Sequence, residues 1–352
     1  MSNNQIQLIS FLSKNRDAYL HKVSTISLEE THISWIILTG QFAYKVKKGV
    51  KFGDVLDFST LALRKKFCQK EVELNSVLCG DMYKGVVKIV KQKKGQRGQN
   101  GIKAVDLKKR EKALEYAVKM VEIPQKLRMD NLLQEGKINS DIIDKLTSIL
   151  VEFHRLSSTS MRIKSFGRPN FIKRKVDENF ATLSRLTTIN PKFESKLGLF
   201  IKNKCDLFLQ RVKDGKIRDI HGDLYLKNIF IVPDNKKKFY LYDRIEFNDS
   251  LRYADVAEDV AHLAMDLDFH ERRDLRKHFI STYVLQSEDE DLEDIVYFWM
   301  CYKACVRVKV SLFRARNLDK TTNNSDGRRK IEEAEEEASN HLELAESYLE
   351  LL

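Results

Sequence analysis

The chain has 352 residues, 42% of them hydrophobic and 32% charged, with only 4 prolines and 14 glycines, a composition that excludes disordered and low-complexity classes and leaves material for two lobes with a substantial core. Five cysteines, an odd number without a Cys-x2-Cys pair, argue against a disulfide framework, and no apolar run approaches a membrane span, so a reduced cytoplasmic setting without membrane insertion is expected. The net charge of +11 favours polyanionic partners, among which nucleotides, nucleic acid and anionic lipid all qualify.

Along the chain, Ile6 to Leu20 is broken by Ser10, Ser13, Lys14, Asn15, Arg16 and Asp17 and reads as an amphipathic surface helix, not a signal peptide. Residues 33–48 predict two strands around the Thr39-Gly40-Gln41 turn, with Ala43, Lys45 and Lys47 on one face of the second. Lys45 is either a phosphate contact or one of several solvated strand lysines. A helix follows from about Ser59 to Leu78, capped by Asp57 or Ser59, with Phe67, Glu71, Leu74 and Leu78 sharing a face. Glu71 on that face can hold Lys45 as an ion pair; Glu73 competes, and a solvent-facing acid is the alternative for both. Ser24 to Thr31 is a candidate covering turn over phosphates, although no Gly-x-Gly-x-x-Gly occurs there. Gly85 to Val90 reads as a strand, and Lys91 to Arg110 as a Gly- and Lys-rich turn. Its Lys91, Lys93, Lys94 and Arg97 lack an aromatic stacking platform, so a solvated hairpin loop is preferred to an RNA contact. Glu115 to Pro124 returns to strand character. The backbone of Val121, Glu122 and Ile123, with Met120 near the ring, can read an adenine edge; a plain edge strand is the alternative.

From Met129 the pattern is helical. Asp141 to Leu156 directs Ile142, Ile143, Leu146, Ile149, Leu150 and Phe153 to a core, with His154 structural, and Lys173 to Thr188 and Phe193 to Lys213 continue the scaffold. Lys213-Asp-Gly-Lys-Ile-Arg218 turns the chain into His221-Gly-Asp-Leu-Tyr-Leu-Lys-Asn228, and an apolar run, Phe239 to Phe247, presents Asp243 fifteen residues on. A base, an amide and an isolated carboxylate are the parts that magnesium-dependent phosphoryl transfer needs, because that chemistry rests on positioning and charge neutralisation. Asp223 would orient or accept the proton of an acceptor hydroxyl, and Asn228 and Asp243 would give oxygen ligands to Mg²⁺. His221 is expected to hold the loop by hydrogen bonds, since no His/Asp cluster supports metal ligation. Glu246 either assists a metal or substrate hydroxyl, or pairs with Arg244 or Arg252. Leu251 to Leu267 predicts a helix with Asp255, Asp259, His262 and Asp266 at four-three-four spacing on one face; Asp266 is expected at the surface. On a helix from Trp299 to Arg316, Lys303 and Arg307 share a face and either neutralise the acids of the preceding helix or bind an anionic acceptor. Arg329 to Leu352 forms a last helix that packs on the second lobe or contacts a partner.

The motif His221-Gly-Asp-x4-Asn228 with Asp243 resembles the aminoglycoside phosphotransferase and choline kinase-like branch of the protein-kinase fold. Thr31 to Lys48, Leu56-Asp-Phe-Ser-Thr60 and Ile245-Glu-Phe-Asn-Asp-x-Leu-Arg-Tyr253 are similar to the kinase-like domain found fused to a P-loop ATP-binding domain. No Gly-x4-Gly-Lys-Ser/Thr is present in this sequence, so the chain would correspond to the kinase-like part alone. The resemblance implies an α+β bilobal fold, with a small antiparallel-sheet lobe over residues 1–122 and a larger helical lobe over 123–352. It implies ATP or GTP with Mg²⁺ as cofactors, Lys45 on the phosphates, a hinge near Ile123, and Asp255 bracing the catalytic loop, with Asp259 doing likewise or facing the acceptor. Tyr225 stands where many relatives carry a second histidine. The function implied is transfer of a γ-phosphate to a hydroxyl of a small molecule bound in a cleft between the lobes. A catalytically weak nucleotide- or RNA-binding protein of the same fold is the alternative, and a protein kinase is third because Arg244-Ile-Glu-Phe follows Asp243 in place of Phe-Gly.

Overall fold

The computed structural model describes residues 3–53, 55–92, 101–106, 110–233, 238–319 and 325–352. The chain divides into two compact units, one of residues 1–128 and 230–249, the other of 129–229 and 250–352. The expected single division after residue 122 therefore differs in two respects. The boundary lies at Arg128, and a segment beyond the His221–Asn228 motif returns to the first unit because its Phe230 and Tyr240 complete an apolar cluster with Cys79, Met82, Tyr83 and Val118.

In the first unit, α1 (Asn3–Leu12) precedes β1 (Ser27–Glu30), β2 (Ser34–Leu38) and β3 (Phe42–Lys47), a small ladder of β4 (Lys51–Phe52) and β5 (Leu56–Asp57), α2 (Leu61–Cys79), β6 (Tyr83–Gln92), β7 (Gly101–Asp106) and β8 (Ala113–Val121). Six strands form one antiparallel sheet in the order β1-β2-β3-β8-β6-β7. The expected strands around Thr39-Gly40-Gln41 are β2 and β3. Gly40 takes φ +85, the left-handed region that favours glycine, and packs close to the Ser24 hydroxyl.

Three local expectations change. The first helix is not a surface helix throughout, because Leu8, Ile9 and Leu12 are buried against Trp35, Ile37 and Val46. Residues 27–30 are strand β1, so Ser24 to Thr31 is not one turn. Within Lys91–Arg110, residues 101–106 form β7 paired to β6, and Lys93, Lys94 and Arg97 lie outside the described residues. The α2 cap is Thr60, whose hydroxyl accepts from Leu63 N at 3.2 Å, while Asp57 accepts from Ser59.

The second unit contains α3 (Met129–Gln134), α4 (Ser140–Leu156), α5 (Met161–Ser165), α6 (Pro169–Leu183), α7 (Lys192–Asn203), α8 (Cys205–Lys213) and β9 (Ile217–Asp219). Strands β10 (Ile229–Val232) and β11 (Lys238–Leu241) pair with one another. The chain then continues through β12 (Tyr253–Asp255), α9 (Ala257–Phe269), α10 (Arg273–Ser287), α11 (Val296–Asp319) and α12 (Ser325–Leu349). Asn139 caps α4 by accepting from Ile142 N, and Ile142, Ile143, Leu146, Leu150 and Phe153 are buried as the periodicity requires. The helix expected from Leu251 begins only at Ala257, because residues 253–255 pair with β9 instead. Every residue of α9 from Ala257 to Leu267 is buried, which makes it the central helix of this unit. The last helix, α12, packs on α11.

Candidate active site

In the first unit, β3 places Lys45 and Lys47 on the same face by strand alternation, and α2 presents Glu71 to them. Lys45 Nζ lies 3.0 Å from Glu71 Oε1 and 2.5 Å from Asp243 Oδ1. Lys47 Nζ lies 2.6 Å from Glu71 Oε2 and also pairs with Glu246. Glu71 is fully buried, whereas Glu73 is exposed beside Lys70, so Glu71 is the partner of Lys45. Burial alone would strip Lys45 of its charge, but Asp243, Glu71 and Glu246 outweigh it and hold the ammonium well above its ordinary pKa. For Glu71 burial opposes ionisation, and Lys45 and Lys47 overcome it, bringing the carboxyl down to about 2. Glu246 goes the other way, raised chiefly by burial. Two buried ammoniums therefore share three carboxylates, of which Glu71 and Glu246 are buried and Asp243 is 38% exposed.

Asp243 follows β11 by two residues and adopts φ +66. A non-glycine residue in that region is held there by its surroundings at a cost of about 1–3 kcal/mol. The restraint is visible next door, where the Arg244 N–H donates to Asn75 Oδ1 at 2.9 Å and its guanidinium to Leu74 O at 3.0 Å.

In the second unit the segment around Asp223 is held by backbone hydrogen bonds to buried carboxylates. Asp259 of α9 accepts from His221 N at 2.7 Å and Gly222 N at 2.9 Å, and stands 3.2 Å from His154 Nε2. Seven residues along, about two helical turns, Asp266 accepts from Leu226 N at 2.8 Å. Asn228 Nδ2 donates to Asp223 O at 2.9 Å and lies 3.4 Å from Asp223 Oδ2, so the amide nitrogen ties the loop and the amide oxygen is the end suited to a cation. His221 Nδ1 accepts from Asp223 N at 3.3 Å. Burial works against the charge of Asp259, but His154, His221 and Gly222 prevail and its carboxyl falls to about 2. Asp266, with fewer compensating donors, is raised by burial. The Asp223 side chain keeps 38% exposure, which a residue that must meet a substrate requires.

Several expectations are corrected. Asp255 does not brace the loop: it sits on β12, where Arg211 grips both oxygens at 2.7 Å, and Asp259 does the bracing. Asp266 is buried, not at the surface, because α9 is enclosed on every side. Glu246 pairs with Lys47 and not with Arg244 or Arg252. Arg307 binds Glu337 of α12 at 2.8 Å, with its guanidinium 4.8 Å from the Tyr225 ring centre. Lys303, by contrast, does neutralise an acid of the preceding helix as expected, meeting Glu258 at 3.2 Å, and it also donates to Gly222 O at 3.4 Å. Near the expected hinge, Val121 N donates to Met82 O and Glu122 N to Gln41 O. The Glu122 carboxylate accepts from Thr39 N and Gly40 N at 2.8 and 2.7 Å, and Met120 and Ile123 are buried. Those two N–H groups thus serve the sheet. Sequence reasoning passed over Lys47 as a solvated lysine; its i, i+2 relation to Lys45 on an inward face was the available signal. His262 was likewise left as a member of a spacing pattern. Among the described residues no group of three or more His, Cys, Asp or Glu side chains is arranged to hold a metal, and no helix is long and apolar enough to cross a membrane.

No family model matches the sequence. The chain is 30% identical over 295 residues to an uncharacterised protein of Mycobacterium tuberculosis (strain ATCC 25618 / H37Rv), an alignment covering 82% of this chain and 55% of the relative. It thus spans about half the length of the curated relatives it matches. Among solved structures it is similar to a choline kinase from Cryptosporidium parvum Iowa II, with TM-score 0.49 and 12% identity over 99% of this chain and 97% of that one. It is also similar to a thermostable mutant of aminoglycoside phosphotransferase APH(4)-Ia, with TM-score 0.48 and 10% identity over 97% and 98%.

Proposed function

We propose that this protein is a magnesium-dependent phosphotransferase that moves the γ-phosphate of ATP or GTP to a hydroxyl of a small molecule. The observation that carries the reading is the Lys45 ammonium held between Glu71 and Asp243, a buried cation kept charged and oriented as a phosphate contact must be. The acceptor oxygen forms a bond to the γ-phosphorus as the bond from that phosphorus to the β–γ bridging oxygen breaks. The hydroxyl proton passes to the Asp223 carboxylate, and the nucleoside diphosphate leaves with the bridging oxygen. Asn228 and Asp243 offer hard oxygen donors of the kind Mg²⁺ takes together with phosphate oxygens, and they would hold it. A bound Mg²⁺ would neutralise charge on the β- and γ-phosphates.

The test is nucleotide consumption across sugars, amino alcohols, nucleosides and aminoglycosides, with Asp223→Ala as the blank. Turnover should fall by about 10²–10⁴-fold in that variant while nucleotide binding persists. Wild-type turnover in Asp223→Ala would overturn the mechanism.

A further inference from the structure

His262 stands on α9 three residues after Asp259 and is 2% exposed. Neither of its ring nitrogens has a hydrogen-bond partner, although a buried polar group left without one costs about 1–3 kcal/mol. The ring lies nearly parallel to that of Tyr225, with centroids 5.5 Å apart and planes at 12°, so its orientation is set by packing. Its Nδ1 faces Asp223 Oδ1 at 3.8 Å. That separation is too long for a direct hydrogen bond and short enough for a single oxygen atom to bond to both groups.

Burial first, then Lys303 and Arg307, hold the imidazole neutral, well below its ordinary pKa. A neutral ring has one donor and one acceptor nitrogen, the complement of a hydroxyl, which also donates once and accepts. Of the nearby cations, Arg307 pairs with Glu337, which Arg314 shares, and Lys303 with Glu258, which Lys175 shares.

We propose that His262 is an acceptor-binding residue, which with Asp223 holds between them the hydroxyl oxygen of the acceptor. The hydroxyl donates to the Asp223 carboxylate and accepts from the Nδ1–H of His262, leaving the remaining lone pair on oxygen to attack phosphorus. On attack the oxygen–phosphorus bond forms, the bond from phosphorus to the β–γ bridging oxygen breaks, the hydroxyl proton goes to Asp223, and the imidazole keeps its own proton. The inference rests on the phosphotransferase reading and adds to it a contact to the acceptor hydroxyl.

Water is the smallest neutral acceptor, so the probe is hydrolysis of Mg–ATP by the full chain. His262→Phe preserves the stacked ring and removes both nitrogens; its kcat should fall on the order of a hundredfold while KM for Mg–ATP stays within about twofold. His262→Asn, which restores a donor near the Nδ1 position, should recover part of the loss, an outcome that a purely structural role would not give. If His262→Phe does not fold, His262→Asn is compared with His262→Leu, and equal rates in those two overturn the proposal. Wild-type kcat in His262→Phe with an inactive Asp223→Ala removes His262 and leaves the phosphotransferase reading standing. A wild-type chain that consumes nucleotide no faster than Asp223→Ala, with water alone and with every sugar, amino alcohol, nucleoside and aminoglycoside tried, overturns both.

Discussion

The charged cluster of the first unit and the Asp223 loop of the second solve the burial of carboxylates in different ways. Around Lys45 and Lys47 the acids Glu71, Asp243 and Glu246 are matched by ammonium groups, side chain to side chain. Around Asp223 the acids Asp259 and Asp266 are matched mostly by backbone N–H groups. Ion pairs between flexible side chains can exchange one anion for another, as a phosphate contact must, whereas backbone donors fix the path of a loop. The difference assigns charge handling to the first cluster and geometric restraint to the second.

The largest effect that would break this comparison is expected at Asp259. Asp259→Ala leaves the N–H groups of His221 and Gly222 and the His154 ring without their carboxylate, and should destabilise the protein by about 3–5 kcal/mol and abolish turnover, measured by urea unfolding and nucleotide consumption. A loss below about 1 kcal/mol would mean that the loop is fixed by something else. Glu71→Gln should cost less, about 2–3 kcal/mol, because Lys45 keeps Asp243 and Lys47 keeps Glu246. Its distinguishing signature is weaker Mg–nucleotide binding in a titration, with the Asp223 loop unaffected.

Acid unfolding separates the two regions by pH. His341 is held neutral in the fold, its pKa lowered to about 4 by burial and by Arg307, and burial likewise holds His262 well below its ordinary value. A histidine with a depressed folded pKa contributes full stability above its unfolded value of about 6.5 and loses it as pH falls toward the folded value. The second unit should therefore weaken between about pH 6.5 and 4. The Glu71 contribution is complete above its unfolded pKa and is lost only between about pH 4.5 and 2, as that carboxylate protonates. Each unit holds one of the two tryptophans, Trp35 and Trp299, both buried. Fluorescence of Trp35→Phe thus reports the second unit, and of Trp299→Phe the first. Coincident acid transitions for the two reporters would contradict the separation.

The smallest effect sharpens the choice of acid on α2. Glu73→Ala removes an exposed partner of Lys70 and should leave both stability and nucleotide binding within experimental error. A measurable loss of binding would reopen the pairing of Lys45 with Glu71.

Much of this was legible in local patterns. Strand alternation put Lys45 on an inward face, the period of α2 put Glu71 on the buried stripe, and the spacing from His221 to Asn228 marked the loop. The bracing role that the resemblance implied for Asp255 falls to Asp259, and the helix expected from Leu251 hid the difference between the two acids. Pairing of Tyr253–Asp255 with β9 broke that helix and delivered Asp255 to Arg211. Asp266 was placed at the surface because acids usually stay in water; Leu226 N, forty residues earlier in the chain, supplies the donor that makes its burial tolerable.

By itself, the sequence determined the elements and the identity of the chemical groups, since periodicity, caps and motif spacing depend on neighbours within a few residues. Tertiary structure decided which buried charge meets which partner. Lys47 with Glu246, Asp259 with His221, and Arg307 with Glu337 are contacts across 199, 38 and 30 residues. Desolvation makes an unpaired charge costly wherever it is buried, but the partner that relieves the cost is chosen by the packing of elements far apart in the chain.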